Sequence, residues 1–311
     1  MSGIISDQNK FLIVVAGPTG IGKSAQSMKL ARRFDAEIFS ADSRQIYKEM
    51  TIGTAKPLQQ ELNEIRHHFI DEISVHEPYS VGKYVADFHQ RLEKYFLNHD
   101  IAVVTGGTGL YINAVLQGID TFPDVPAEVA IEINKWYHDF GITYIQDQLR
   151  EHDPEYFHKV DIQNPRRILR ALGVVKASGQ PYSSFLGRVA ENNIPFHVIQ
   201  ILLELPREIL YNQINNRVDQ MLATGLEQEA RNLYHHRHLR ALQTVGYTEM
   251  FDYIDGKQDL IKAIDLIKQN SRRYAKRQIT WFKKYGNWIC FHPMSDEDIF
   301  KHISDVTGNN I

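Results

Sequence analysis

The sequence predicts an α/β protein: a parallel sheet carrying a phosphate-binding loop, interrupted by a helical insertion and followed by a helical C-terminal region. Three observations lead there. Phe11 to Val15 is an unbroken apolar run, as a strand buried on both faces requires. It ends in Gly17-Pro18-Thr19-Gly20-Ile21-Gly22-Lys23-Ser24, which fits the pattern G-x-x-x-x-G-K-[ST] at every fixed position. Further apolar runs then alternate with helical patterns, the order that builds parallel sheets.

Ala25 to Arg33 places Met28, Leu30 and Ala31 at helical spacing, so strand, glycine loop and helix follow in the order the motif needs. The loop amides can wrap an anion, the helix start points its N–H groups at it, and Lys23 adds a full charge. Ser24 is placed to hold a magnesium ion. A polyphosphate is the expected ligand of this P-loop NTPase-like core.

Ala36 to Ala41 reads as a second strand, closing in Asp42-Ser43-Arg44-Gln45. Ile46 to Pro57 has no period and reads as a functional loop. His67 to Ile70 is a candidate third strand, and Val85, Phe88, Leu92 and Phe96 mark an amphipathic helix over 84–96. Ile101 to Val104 is the next buried strand, followed by Thr105-Gly106-Gly107-Thr108-Gly109. Ligands of parallel sheets bind beyond the strands' carboxyl ends, so 17–24, Asp42 and Thr108 should face one crevice.

The texture changes from about residue 116 to 195. Helical patterns over 129–140, 144–151 and 166–177 are separated by prolines, with no good strand. Phe196 to Leu205 is again a strand, and 207–284 is mostly helical with a break at 244–247. The expected organisation is a core formed by 1–115 and 196–311, with a helical insertion at 116–195.

The 311 residues are 43% apolar and 23% charged, an ordinary globular balance, and the net charge of −3 excludes a generally polycationic chain. The single cysteine, Cys290, leaves no internal disulfide or multi-cysteine zinc site. No secretory leader or membrane-length apolar run is visible, and a cytoplasmic, monomeric protein is expected. Charge is nevertheless clustered: 262–284 holds eight lysines and arginines against one acid, Asp265, with Tyr274 and Trp281 interleaved. Arg166, Arg167 and Arg170 form a second group. Such clusters suit a nucleic-acid backbone, or a solvated helix face. His235-His236-Arg237-His238 reads as a solvated turn rather than a metal site.

The strand Ile101–Val104 has no acid at its end, so a hydrolytic magnesium aspartate is missing there, with Asp71 the possible substitute. Asp42 could accept a proton from a nucleophile, or could simply form a turn. A small-molecule kinase would share the loop and this acid but has no use for the basic helix.

Taken together these words resemble the bacterial tRNA dimethylallyltransferase family. GPTGIGKS at 17–24, DSRQIYKEMTIGTAKP at 42–57, GGTGLY at 106–111, NPRRILRAL at 164–172 and AKRQITWFKK at 275–284 are similar to its blocks, in order and over most of the chain. Gly246-Tyr247-Thr248-Glu249 departs from the family's Gly-Tyr-Arg-Gln and loses a positive charge. The resemblance implies transfer of a dimethylallyl group from dimethylallyl diphosphate to N6 of adenosine 37 in the tRNA anticodon arm. It implies the diphosphate and Mg2+ at 17–24, with Ser24 on the metal; whether ATP also binds there stays open. Asp42 would be the base, Arg217 would reach the diphosphate, and Thr108 would touch the adenosine. Asp42, Ser43, Arg44, Gln45, Thr108, Asn164, Arg166, Arg167, Arg170, Arg273, Lys276, Arg277, Gln278 and Trp281 would hold the RNA, with the insertion as clamp.

Overall fold

Six apolar residues in succession, Phe11–Ala16, form strand β1, and all six are buried. Its alternate side chains feed two separate cores: Leu12, Val14 and Ala16 on one face, Phe11, Ile13 and Val15 on the other. In the computed structural model, which describes residues 10–187 and 196–308, helix α1 (Lys23–Phe34) follows directly. Then come β2 (Ile38–Ser40), α2 (Gln59–Glu64), β3 (His67–His68), α3 (Val81–Phe96), β4 (Ile101–Gly106) and α4 (Gly109–Gln117). The second and third strands are shorter than the apolar runs suggest. Beyond His68 the chain turns, with Phe69 and Asp71 at positive φ, which ends the extended backbone.

The chain divides into two compact units, Met1–Leu116 with Ile194–Ile311 and, separately, Gln117–Asn193. Residues 188–195, the end of the expected insertion, and the chain ends 1–9 and 309–311 lie outside the described residues.

The larger unit resumes with β5 (His197–Leu203), α8 (Arg207–Ala223), α9 (Leu226–Leu233), α10 (Tyr247–Ile254), α11 (Leu260–Lys284), β6 (Ile289–Phe291) and α12 (Asp296–Thr307). Its sheet has the order β3-β2-β4-β1-β5-β6 with every pairing parallel. The strand order places β1 between β4 and β5, so the loops leaving β1, β2 and β4 open at one edge. No helix among the described residues is long and apolar enough to cross a membrane.

The smaller unit is helical in its described part: α5 (Ala127–His152), α6 (Pro154–Lys159) and α7 (Pro165–Ser178). The two expected helices at 129–140 and 144–151 are the halves of α5, which kinks where Gly141 takes φ 77°. Helix α6 begins with Pro154 behind a capping Asp153 and was not visible as a period because it is only six residues long. Ile133, Ile145, Leu149, Ile168, Ala171 and Leu172 make its core.

Candidate active site

The phosphate loop occupies the turn between β1 and α1, with Gly17, Gly20 and Gly22 all at positive φ, a conformation side chains oppose. The Lys23 ammonium donates to the Pro18 carbonyl at 2.9 Å. Burial, and then the Arg217 guanidinium nearby, push its pKa down to about 7, while Asp42 pulls it back up. Arg217, from α8, donates to the Thr19 hydroxyl at 3.1 Å. Its own pKa is lowered by burial and raised by Asp42. Lys23, Arg217 and the Asp42 carboxylate therefore act on each other around the loop.

Asp42 follows β2 and accepts the Arg44 N–H at 2.9 Å, a local turn that fixes its carboxylate. Thr108 follows β4: its N–H donates to the Ala41 carbonyl, and its hydroxyl accepts the Ser43 N–H at 3.1 Å. Thr19, Asp42, Ser43, Arg44 and Arg217 line one crevice of about 330 Å³, whose apolar side includes Ile214, Val218 and Met221. The crevice thus combines an anion cradle, an acid and an apolar wall.

Helix α11 crosses this edge. Gln278 is buried; its amide donates to the Gly107 carbonyl at 2.7 Å and accepts the Thr19 N–H at 2.9 Å, tying the phosphate loop to the turn after β4. A Cβ at Gly107 would lie 2.3 Å from that amide, so only glycine admits the tie. The Trp281 ring packs against Gly109, with its indole N–H buried and without a hydrogen-bond partner among the described residues. Tyr274, absent from the sequence-based set, also lines the crevice. Burial and Asp42 push its phenol up to about 12, and it bonds to Thr108. Its position, one turn before Gln278 on a helix already singled out, was the signal available.

The remaining expected residues divide. Arg273, Lys276 and Arg277 are exposed on α11 and pair with no acid among the described residues. On α7 of the smaller unit, Arg166, Arg167 and Arg170 are exposed, while Asn164 caps the helix by accepting the Arg167 N–H. The Gln45 amide is spent internally, donating to the Thr54 and Ala55 carbonyls and bonded to the Ser40 hydroxyl. Asp71, the possible substitute acid, has a structural partner. It is ion-paired with the buried Lys56 ammonium, which also donates to the Tyr47 and Lys48 carbonyls and so locks the 44–57 loop. Glu249 is buried and caps α10 at the Gly246 N–H, a structural use for the residue that departs from the family word.

No group of three His, Cys, Asp or Glu side chains among the described residues could hold a metal by itself. The exposed Ser24 hydroxyl at the start of α1 offers one hard oxygen, which fits a magnesium ion completed by phosphate oxygens of a ligand.

Sheet, loop and crevice define a phosphate-loop α/β protein with an acid and an arginine beside the loop. The IPP transferase family model matches residues 45–285. A tRNA dimethylallyltransferase of Flavobacterium johnsoniae is 47% identical over 299 residues, 94% of this chain and 96% of that one. Its counterpart in Christiangramia forsetii is 48% identical over 298 residues, covering 95% and 98%. The chain belongs to the tRNA dimethylallyltransferases of the IPP transferase family. Among solved structures, the full-length tRNA isopentenylpyrophosphate transferase of Bacillus halodurans aligns with TM-score 0.68 at 35% identity, covering 96% of each chain. A eukaryotic dimethylallyltransferase solved acting on tRNA aligns with TM-score 0.79 at 25% identity, covering 96% of this chain and 80% of that one.

Proposed function

We propose that this protein transfers the dimethylallyl group of dimethylallyl diphosphate to N6 of adenosine 37, beside the tRNA anticodon, and releases diphosphate. The observation that carries the reading is the sharing of one crevice by Thr19 of the phosphate loop, Arg217 and Asp42. The diphosphate sits on the loop amides of 17–24, with Lys23 and Arg217 on its oxygens. As the C1–O bond breaks, both electrons leave with the diphosphate, and these cations stabilise the developing charge. A magnesium ion held by Ser24 and the phosphates would supply further charge neutralisation.

The N6 lone pair is delocalised into the adenine ring, so the amine is a weak nucleophile. It forms the new bond to C1 and gives its proton to the Asp42 carboxylate. Thr108, bonded to both the Asp42 loop and Tyr274, is placed to contact the base. Ile214, Val218 and Met221 offer the allyl group a dry wall. The adenosine has to leave its stack to enter, at a cost of a few kcal/mol that is smallest in a loop. The exposed arginines and lysine of α11 and those of α7 take the RNA backbone. The proposed setting is the cytoplasm, where the tRNA substrate would be met.

The test is to incubate the protein with unmodified bulk tRNA and either labelled dimethylallyl diphosphate or γ-labelled ATP. Label from the allylic diphosphate on RNA supports the reading. Phosphate moved from ATP to a small molecule contradicts it.

A further inference from the structure

We infer that Glu229, on α9, is a positioning residue for the transfer, acting through the 51–54 turn rather than by touching either reactant; the inference rests on the function proposed above. One Glu229 oxygen accepts the N–H groups of Thr51 at 3.0 Å and Ile52 at 2.8 Å. The other accepts the Gly53 N–H at 2.9 Å and the Tyr247 hydroxyl at 2.6 Å. Four donors thus converge on one carboxylate.

The three amides open a short turn closed by Ala55 N–H to the Ile52 carbonyl and Lys56 N–H to the Thr51 carbonyl. They lack internal partners as the first amides of a helix do, and an anion there satisfies them. With every donor aimed at it, the carboxylate has no capacity left for a cation. Glu229 lines a separate cavity with Glu49, Val75 and His76, and it is not part of the crevice lining.

The far side of the turn is the functional one. Gly53 and Thr54 line the crevice beside Asp42, Ser43 and Arg44. The Thr54 carbonyl also takes the Gln45 amide, so the turn and the Asp42 loop are one braced piece. Tyr247 is fully buried behind it, and a Cβ at Gly53 would come 2.6 Å from its ring. Helices α9 and α10 therefore set, through one carboxylate and one ring, where the backbone beside the proposed base stands. A misplacement of reacting groups on the order of 1 Å costs roughly a hundredfold in rate.

Glu229→Gln keeps the size, but its amide oxygen accepts fewer bonds and its NH2 opposes the turn's N–H groups. Hydrogen exchange at Thr51, Ile52 and Gly53 should quicken about tenfold or more, as loss of a buried hydrogen bond implies. Single-turnover prenyl transfer should fall by about tenfold or more, with affinity for dimethylallyl diphosphate within about twofold of wild type because the phosphate loop is untouched. Tyr247→Phe removes one donor and should reproduce the pattern more weakly, which keeps the test open should the first variant fold poorly. Unchanged exchange at the three amides would overturn the clamp. Faster exchange with an unchanged transfer rate would overturn the positioning role. Diphosphate affinity falling in step with rate, with exchange quickened across the whole sheet, would reduce Glu229 to a stabiliser of the fold. If wild-type protein moved no prenyl group to RNA, the function proposal would fail, and the exchange measurement alone would decide the clamp.

Discussion

Diphosphate binding should draw a proton from solvent, and Lys23 should be its destination. In the free protein its ammonium is disfavoured by burial and by Arg217, which bring its pKa to about 7. At pH 8 roughly nine-tenths of the molecules then carry neutral Lys23. A diphosphate on the loop places negative charge beside this amine and raises its pKa again, since an opposite charge at close range favours the charged form. The ligand's last ionisation lies near about 6, so at pH 8 it has no proton of its own to exchange. Binding should therefore take up about 0.9 proton, and affinity should fall roughly fiftyfold between pH 7 and pH 9. Calorimetry at pH 8 in two buffers of different ionisation enthalpy measures the uptake directly. Lys23→Met should abolish it. Uptake below about 0.2 in wild type, or equal uptake in the variant, would rule out Lys23 as the proton's destination.

The same shift fixes a stability trend. Between the folded value of about 7 and the ordinary lysine value of 10.5, the unfolded chain binds more protons at this group than the fold does. Its contribution to stability consequently rises with pH through that window, and Lys23→Met should flatten the rise without lowering Tm.

Two further substitutions separate chemistry from RNA binding. Asp42→Asn preserves the turn to Arg44 but cannot take a proton, so the single-turnover rate should fall by about 10² to 10⁴ with both reactants still bound; a normal rate would remove Asp42 from the mechanism. Replacing Arg273, Lys276 and Arg277 with alanine should weaken tRNA binding and flatten its salt dependence by roughly 0.7–0.9 per lost phosphate contact. An unchanged slope would leave this cluster a solvated face.

The sheet was legible because its strands are buried on both faces and read as unbroken apolar runs. Even so, β2 and β3 proved shorter than their runs, and β3 stops at His68 because Phe69 and Asp71 turn the backbone within an apolar segment. Strand β6 and helix α12 escaped notice: three residues at a half-exposed sheet edge carry no period. The phosphate loop could be read from spacing alone. What spacing could not show was which polar side chains of the family words are spent inside the protein. Gln45 and Gln278 donate to backbone carbonyls brought near by the fold, as does Lys56, and no local spacing shows those partners. Glu229 lies some 176 residues from the turn it holds, so no local pattern could reveal it.

The proposed crevice chemistry joins an allylic diphosphate to one adenosine. Its most direct test is nucleoside analysis of unmodified tRNA after incubation with the protein, dimethylallyl diphosphate and magnesium, alongside the same tRNA with guanosine at position 37. The expected product is adenosine bearing one added C5H8 at position 37, with diphosphate released in equal amount and no product on the guanosine tRNA. Label at other positions, equal product on both RNAs, or diphosphate released without RNA modification would contradict it.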